Sequence, residues 1–301
     1  LMILFGTFRL LWRSMLMQMS TEEWLSLKDV VQTLSESETR LLVIIGLVAH
    51  GIQMIRFPVW LEVENFRLSA HRGATVFAPE NSIESLQEAV ARGYGAVEID
   101  IQMSADGQIF LMHDPTVDRT TNGTGIAKDM TMEKLKSFKL KTDNYPNLAS
   151  KTMRIPTFAE ALEVLTGQKI VINVDGSKWD WTDDVFITKV ITLLKEYKLY
   201  DWCFFVLTNK TQRDYLTSKY PDACVTWMTD NTTQAEKALD EISAYKKAFV
   251  SMPLSIASND FIAKCRRKTN FIHVYNVESQ TDMSRLKSNG VSLIETNSLL
   301  P

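Results

Sequence analysis

The stretch HRGATVFAPENSIESLQEAVARGYGAVEIDIQMSADGQIFLMHD, residues 71–114, holds two of the chain's four histidines, each at the end of a short apolar run. His71-Arg72-Gly73 closes the run 68–70, Glu98 and Asp100 alternate inside 96–103, and His113-Asp114 closes 109–112. Polar groups at the ends of otherwise apolar strands are how a catalytic site reads in sequence: the strands are buried and their ends carry the chemistry.

The same stretch constrains the fold. After Pro79-Glu80-Asn81, the apolar residues Ile83, Leu86, Ala89 and Val90 recur at helical spacing, which predicts a helix over 82–92. Strand, helix and strand in close succession read as a βα unit around a parallel sheet. Only Ser104-Ala105-Asp106-Gly107-Gln108 separate the second run from the third, too few for the crossover that parallel neighbours need. Asp106-Gly107 is a hairpin dipeptide, so these two runs either pair antiparallel or one of them leaves the sheet.

Working outward, the alternation continues. Candidate strands lie at 68–70, 96–103, 109–112, 169–175, 202–207, 224–228, 248–252, 271–277 and 292–295, nine in all, one more than a closed (β/α)8 barrel needs. A second helix is expected at 157–166, just after Pro156. Residues 115–156 carry no clear strand and read as an inserted excursion over the site.

Residues 1–67 differ from the rest. They open on LMILFGTFRLLWRSMLMQM, and Ser20 with Glu23 makes a capping-box start for a helix to about Leu34. The apolar stretch between Arg40 and Arg56 is fifteen residues long, short of the ~20 that cross a bilayer. The segment is expected to be a helical extension packed on the main domain or a partner, with membrane association through an interfacial segment as the rival reading. The main domain is expected at 68–301.

Composition excludes several classes. Hydrophobic residues make up 45% and charged residues 23%, as in a folded globular chain. A formal net charge of −3 leaves no basic footprint for nucleic acid. Three scattered cysteines, Cys203, Cys224 and Cys265, make neither a disulfide framework nor a zinc cluster.

Glu98 and Asp100 are two apart, so on a strand both project to one face, which in a barrel can be the interior. Two inward carboxylates repel unless a cation lies between them, and an all-oxygen donor set suits Mg2+ or Ca2+. Asp175, closing the run KIVINVD, is the best-placed third ligand. His71 and His113 can move protons near neutral pH, and Arg72 offers a planar fork for phosphate or carboxylate oxygens.

HRG at 71–73, PEN at 79–81, EID at 98–100, DG at 106–107, HD at 113–114 and RTTNGTG at 119–125, in this order and spacing, resemble the glycerophosphodiester phosphodiesterase family, part of the phosphodiesterases that resemble phosphatidylinositol-specific phospholipase C. The likeness runs over about 68–297. It implies a distorted TIM barrel with a small insertion, a divalent metal, and hydrolysis of a glycerophosphodiester to glycerol 3-phosphate and an alcohol. By position it implies His71 and His113 as the catalytic pair, Arg72 as a phosphate contact and Glu98 and Asp100 as metal ligands. It also casts the ninth run, 248–252, as an irregular segment between barrel strands.

Departures from the family pattern fall at two places. The third ligand usually precedes a lysine by two positions; here the run is Asn173-Val174-Asp175-Gly176, so Asp175 is the ligand or, with a shift of two, Asn173. Lys178 or Lys169 would then supply the missing cation. Near the end, VYNVE at 274–278 and ETN at 295–297 stand where the family has an aromatic-Thr-Val-Asn and a Thr-Asp, leaving Tyr275 either against substrate or in ordinary barrel packing. These departures and the apolar N-terminal arm keep two alternatives in view: a lysophospholipid or other phosphodiester as substrate, and a catalytically silent barrel used for binding.

Overall fold

The nine runs all form strands, and eight of them close on themselves. In the computed structural model, which describes residues 66–301, the parallel strands are β1 (Arg67–Ala70), β2 (Ala96–Met103), β4 (Val171–Asp175), β5 (Cys203–Leu207), β6 (Val225–Trp227), β7 (Ala248–Pro253), β8 (Ile272–Tyr275) and β9 (Leu293–Thr296). Each pairs with the next, and β1 pairs with both β9 and β2, which closes a TIM barrel. The expected helical extension and membrane-associated segment lie outside the described residues, apart from its last two. Among the described residues no helix is long and apolar enough to cross a membrane.

The remaining strand, β3 (Ile109–Leu111), pairs antiparallel with β2 through Ile101↔Leu111, Gln102↔Phe110 and Met103↔Ile109. Gly107, at φ 76°, makes the turn that an L-residue would resist. The barrel therefore runs from β2 directly to β4, and the surplus run is 109–112.

The expectation for 248–252 is thus corrected. That run is the barrel strand β7, paired with β6 through Val225↔Ala248 and with β8 through Val250↔Ile272. Its alternation explains why: Phe249 joins the apolar cluster inside the barrel, while Val250 and Met252 pack outward under the helices.

Eight α-helices are described: α1 (Ile83–Ala91), α2 (Met132–Ser137), α3 (Phe158–Leu165), α4 (Asp184–Glu196), α5 (Lys210–Lys219), α6 (Thr232–Glu241), α7 (Asn259–Arg266) and α8 (Gln280–Ser288). Each starts on a polar residue whose side chain accepts from a first-turn N–H, and Ser82 and Thr157 form full capping boxes. Residues 115–156 hold α2 and two short 3-10 turns, and they build a small core of their own on Phe110, Met112, Val117, Leu135 and Ile155. β3 is shared: Phe110 faces this core while Ile109 and Leu111 face the main one.

Inside the barrel the amino-terminal half is apolar. Ala96, Val171, Phe204, Cys224, Phe249, Phe271 and Leu293 fill it, with the Phe204–Phe249 and Phe249–Phe271 rings 5.0 and 4.7 Å apart. Each buried ring contributes about 1.5–3 kcal/mol. This floor also excludes water from beneath the polar layer above it, and so raises the cost of burying charge there.

Candidate active site

The carboxyl-terminal ends of β1, β2 and β4, with the loop after β3, gather most of the polar residues expected in a site. Ala96, Glu98, Asp100 and Gln102 succeed one another on the inner face of β2, because side chains two apart on a strand share a face. Glu98 pairs in register with Asn173 and Asp100 with Asp175. Glu98, Asp100 and Asp175 each offer a carboxylate oxygen, all within 4.8 Å of one another.

That concentration of buried negative charge shows in the protonation of the group. Burial, then Asp100, Glu295 and Asp175, push the Glu98 carboxyl well above the usual carboxylate range. Burial and Asp175 push Asp100 up as well, and one of its oxygens, Oδ1, accepts no hydrogen bond. Burial alone would raise Asp175, but Lys178 and Ser177 outweigh it and hold that carboxyl down. Three converging carboxyl groups, two of them pushed up by burial and mutual repulsion and one with an unsatisfied oxygen, suit a hard divalent cation.

Asp175 supplies the third carboxylate of the convergent set, and Asn173 Oδ1, in register with Glu98, is buried without a hydrogen-bond partner. Asn173 Nδ2 donates to Glu295 Oε2 at 2.8 Å. Gly176 has a packing cause: a Cβ there would lie 2.5 Å from both Leu207 Cδ2 and the Val206 carbonyl oxygen. No side chain fits at 176, so the cation comes from the following 3-10 turn (Gly176–Lys178), whose Lys178 Nζ lies 2.9 Å from Asp175 Oδ2 and 3.5 Å from Asp100 Oδ1. Burial would lower the Lys178 ammonium, but Asp175 and Asp100 raise it above its ordinary value. Lys169 is exposed at the opposite end of β4 and takes no part.

The HRG turn is held from several sides. Arg72 sits at φ 59° and donates its backbone N–H to Glu98 Oε2 at 2.8 Å. Gly73 follows at φ 84°, where a Cβ would fall 2.2 Å from Ser85 Oγ. The Arg72 guanidinium bonds Glu80 Oε1 at 3.0 Å, while its Nε, 3.5 Å from Asp100 Oδ2, has no hydrogen-bond acceptor. His71 takes its backbone anchor from the Thr296 carbonyl, and its Nε2 lies 3.9 Å from Glu98 Oε2.

His113 is tethered by its neighbours. Its Nδ1 meets Asp114 Oδ1 at 2.7 Å, and Arg119 binds the Asp114 carboxylate through Nε at 2.6 Å and Nη2 at 2.9 Å. Arg119 also reaches both oxygens of Glu80, at 2.7 Å each. The Arg119 bonds and then His113 hold the Asp114 carboxyl far below its usual range. A continuous chain therefore runs from Arg72 through Glu80, Arg119 and Asp114 to His113.

Several contributors escape sequence reasoning. Gln102 Nε2 donates to the carbonyls of Met112 and Asp114, 2.8 Å each, clamping the backbone on both sides of His113; its place two beyond Asp100 on one strand face was the available signal. Asn81 and Glu80 stand in a quoted motif without a role, and Glu278, Glu295 and Asn297 come from the far end of the chain, with no local pattern to mark them. Tyr275 lies at the end of β8 with its hydroxyl donating to the Thr229 carbonyl and its ring 6.1 Å from that of His273. Both of these partners, Thr229 and His273, belong to the barrel.

A family model described as the Glycerophosphoryl diester phosphodiesterase family matches residues 71–299. The glycerophosphodiester phosphodiesterase of Caldanaerobacter subterraneus subsp. tengcongensis is 34% identical over 128 residues, which are 42% of this chain and 52% of that protein. Its Bacillus subtilis namesake is 27% identical over 243 residues, 76% of this chain and 82% of the relative. The match thus spans about half the length of the first relative, and 35% of the cattle Glycerophosphodiester phosphodiesterase 1. Among solved structures, an Oleispira antarctica phosphodiesterase superposes with a TM-score of 0.68 at 20% identity over 77% of this chain and 92% of its own. A glycerophosphodiester phosphodiesterase from Agrobacterium tumefaciens gives 0.65 at 22% identity, covering 77% and 96%. At these identities the solved structures share the fold.

Proposed function

The chain belongs to the glycerophosphoryl diester phosphodiesterase family, and from that membership we propose that its barrel hydrolyses a glycerophosphodiester to glycerol 3-phosphate and an alcohol. The observation that carries this reading is the convergence of Glu98, Asp100 and Asp175 within 4.8 Å, beside Arg72, Lys178 and the two histidines at one end of the barrel. The Oleispira relative, whose structure holds the product sn-glycerol-3-phosphate, supports the same assignment.

Glu98, Asp100 and Asp175 would hold a divalent cation, Mg2+ or Ca2+, whose charge neutralises the phosphate and polarises it toward attack. Arg72 and Lys178 both lie against Asp100 and are placed to engage non-bridging phosphate oxygens, Arg72 with an Nε that makes no hydrogen bond. One histidine takes a proton from the attacking water as the new O–P bond forms. The other gives a proton to the departing alcohol oxygen as the old P–O bond breaks, and exchange with solvent resets both. Tyr275, its hydroxyl held by Thr229, offers its ring to the substrate at the rim.

The test is release of glycerol 3-phosphate from glycerophosphocholine and glycerophosphoethanolamine, with and without a chelator. Release that survives both chelation and His113→Ala would sink the proposal.

A further inference from the structure

His71 is held by a chain of two residues from the other end of the sequence. Its Nδ1 lies 2.7 Å from Asn297 Oδ1, and Asn297 Nδ2 lies 2.8 Å from Glu278 Oε1. The Glu278 carboxylate also accepts from the Asn297 backbone N–H, Thr296 Oγ1 and Ser298 Oγ. Burial would raise the Glu278 carboxyl, but these bonds outweigh it and keep the group ionised.

An ionised carboxylate only accepts hydrogen bonds, whereas the Asn side chain has one donating and one accepting end. With its Nδ2 committed to Glu278, Asn297 can turn only its oxygen toward His71. The imidazole must then carry its proton on Nδ1, which leaves the lone pair on Nε2, the nitrogen that faces Glu98 and the cluster. We infer that Glu278 and Asn297 are positioning residues that fix the tautomer and ring orientation of His71, so that it meets substrate as a proton acceptor through Nε2. The inference rests on the reading of His71 as one of the two proton carriers of a phosphodiesterase, and it assigns that histidine a direction.

The test is a long-range 1H–15N correlation spectrum of the 15N-labelled full chain, with the His71 signals identified by their loss in His71→Ala. The wild type is expected to show His71 protonated on Nδ1. Asn297→Ala and Glu278→Gln are expected to mix in the Nε2-protonated form, and Asn297→Asp, which keeps an acceptor there, to restore the Nδ1 form. Signals of the buried His273 in the same spectra report whether each variant folds. In turnover of glycerophosphocholine, Asn297→Ala is expected to lower kcat about 10- to 100-fold with KM within about twofold, and Asn297→Asp to recover it. Wild-type His71 protonated on Nε2, or an Asn297→Ala protein that keeps the pure Nδ1 form, overturns the inference. A chain that releases no glycerol 3-phosphate at all refutes the proposed function instead, and the spectra still decide the tautomer.

Discussion

Asn81 grips Asp100 at two points: its Nδ2 donates to Asp100 Oδ2 at 2.8 Å, and its Oδ1 accepts from the Asp100 backbone N–H at 3.1 Å. The grip needs Asn81 at φ 53°, a left-handed conformation that asparagine tolerates better than most residues. It ties the loop after β1 to the inner face of β2, and it leaves Asp100 Oδ1 free of any hydrogen bond. Asn81→Ala is therefore expected to weaken divalent-cation binding about 10- to 100-fold, as loss of a partner that orients a ligand does. Titration calorimetry with Mg2+ and Ca2+ measures it, and unchanged affinity would refute the role.

The identity of the third ligand yields a paired test. Asp175→Asn removes a carboxylate from the convergent set and is expected to lower cation affinity by at least about tenfold. Asn173→Ala, whose partner is Glu295, is expected to leave that affinity within about threefold of wild type. The reverse ranking in the same calorimeter would move the ligand to 173.

Gln102 holds the backbone around His113, so Gln102→Leu, similar in volume, leaves the Met112 and Asp114 carbonyls without this donor. The expected result is a fall in kcat of about tenfold or more, at a stability cost of about 1–3 kcal/mol. Steady-state kinetics beside a urea melt separates the two effects, and unaltered kcat would show that His113 does not need the clamp.

Gly176→Ala tests the packing account of the missing lysine. The new Cβ would stand 2.5 Å from a backbone oxygen of the neighbouring strand, which cannot move aside cheaply. A loss of about 1–3 kcal/mol is expected in thermal or chemical unfolding. Wild-type stability would mean that β4 and β5 yield there.

His273 supplies a pH dependence. Its ring is buried inside the barrel, its Nδ1 is 3.0 Å from Ser251 Oγ, and burial lowers its pKa to about 3. The unfolded chain takes up a proton near the ordinary value of about 6.5 while the folded one does not. The neutral ring's contribution is therefore fully present above about pH 6.5 and is lost as pH falls toward 3. Between pH 7 and pH 4 this costs the wild type on the order of 3 kcal/mol. His273→Gln is expected to escape that loss, so the stability gap between the two proteins should shift in the variant's favour at pH 4. Parallel urea curves at both pH values decide it.

Much of this architecture was legible in the linear chain. The alternation of short apolar runs with helical spacing located all nine strands, because a buried parallel strand must be apolar along its length and its crossover helix must show one apolar face. The five residues between β2 and β3 were too few for a crossover, so the local break in the barrel could be read as well. Membership of the barrel wall was different: which run was the surplus one depended on hydrogen-bond partners far apart in sequence, and β7 proved to be wall while β3 did not.

The sequence by itself determined the inventory of chemistry: two histidines at strand ends, an arginine beside one of them, and carboxylates at alternate positions of a strand that sends them to one face. Spacing along a strand or helix is enough for that, since the backbone repeat fixes direction. Tertiary structure decided what stands next to what. The register of β2 against β4 set Asp175 beside Asp100, and the close approach of β5 to Gly176 emptied that position of a side chain and brought in Lys178 instead. Closure of β1 on β9 carried Asn297 and Glu278 to His71 across 226 and 207 residues of chain. Contacts at such separation arise only when the barrel closes, so no local pattern of residues announces them.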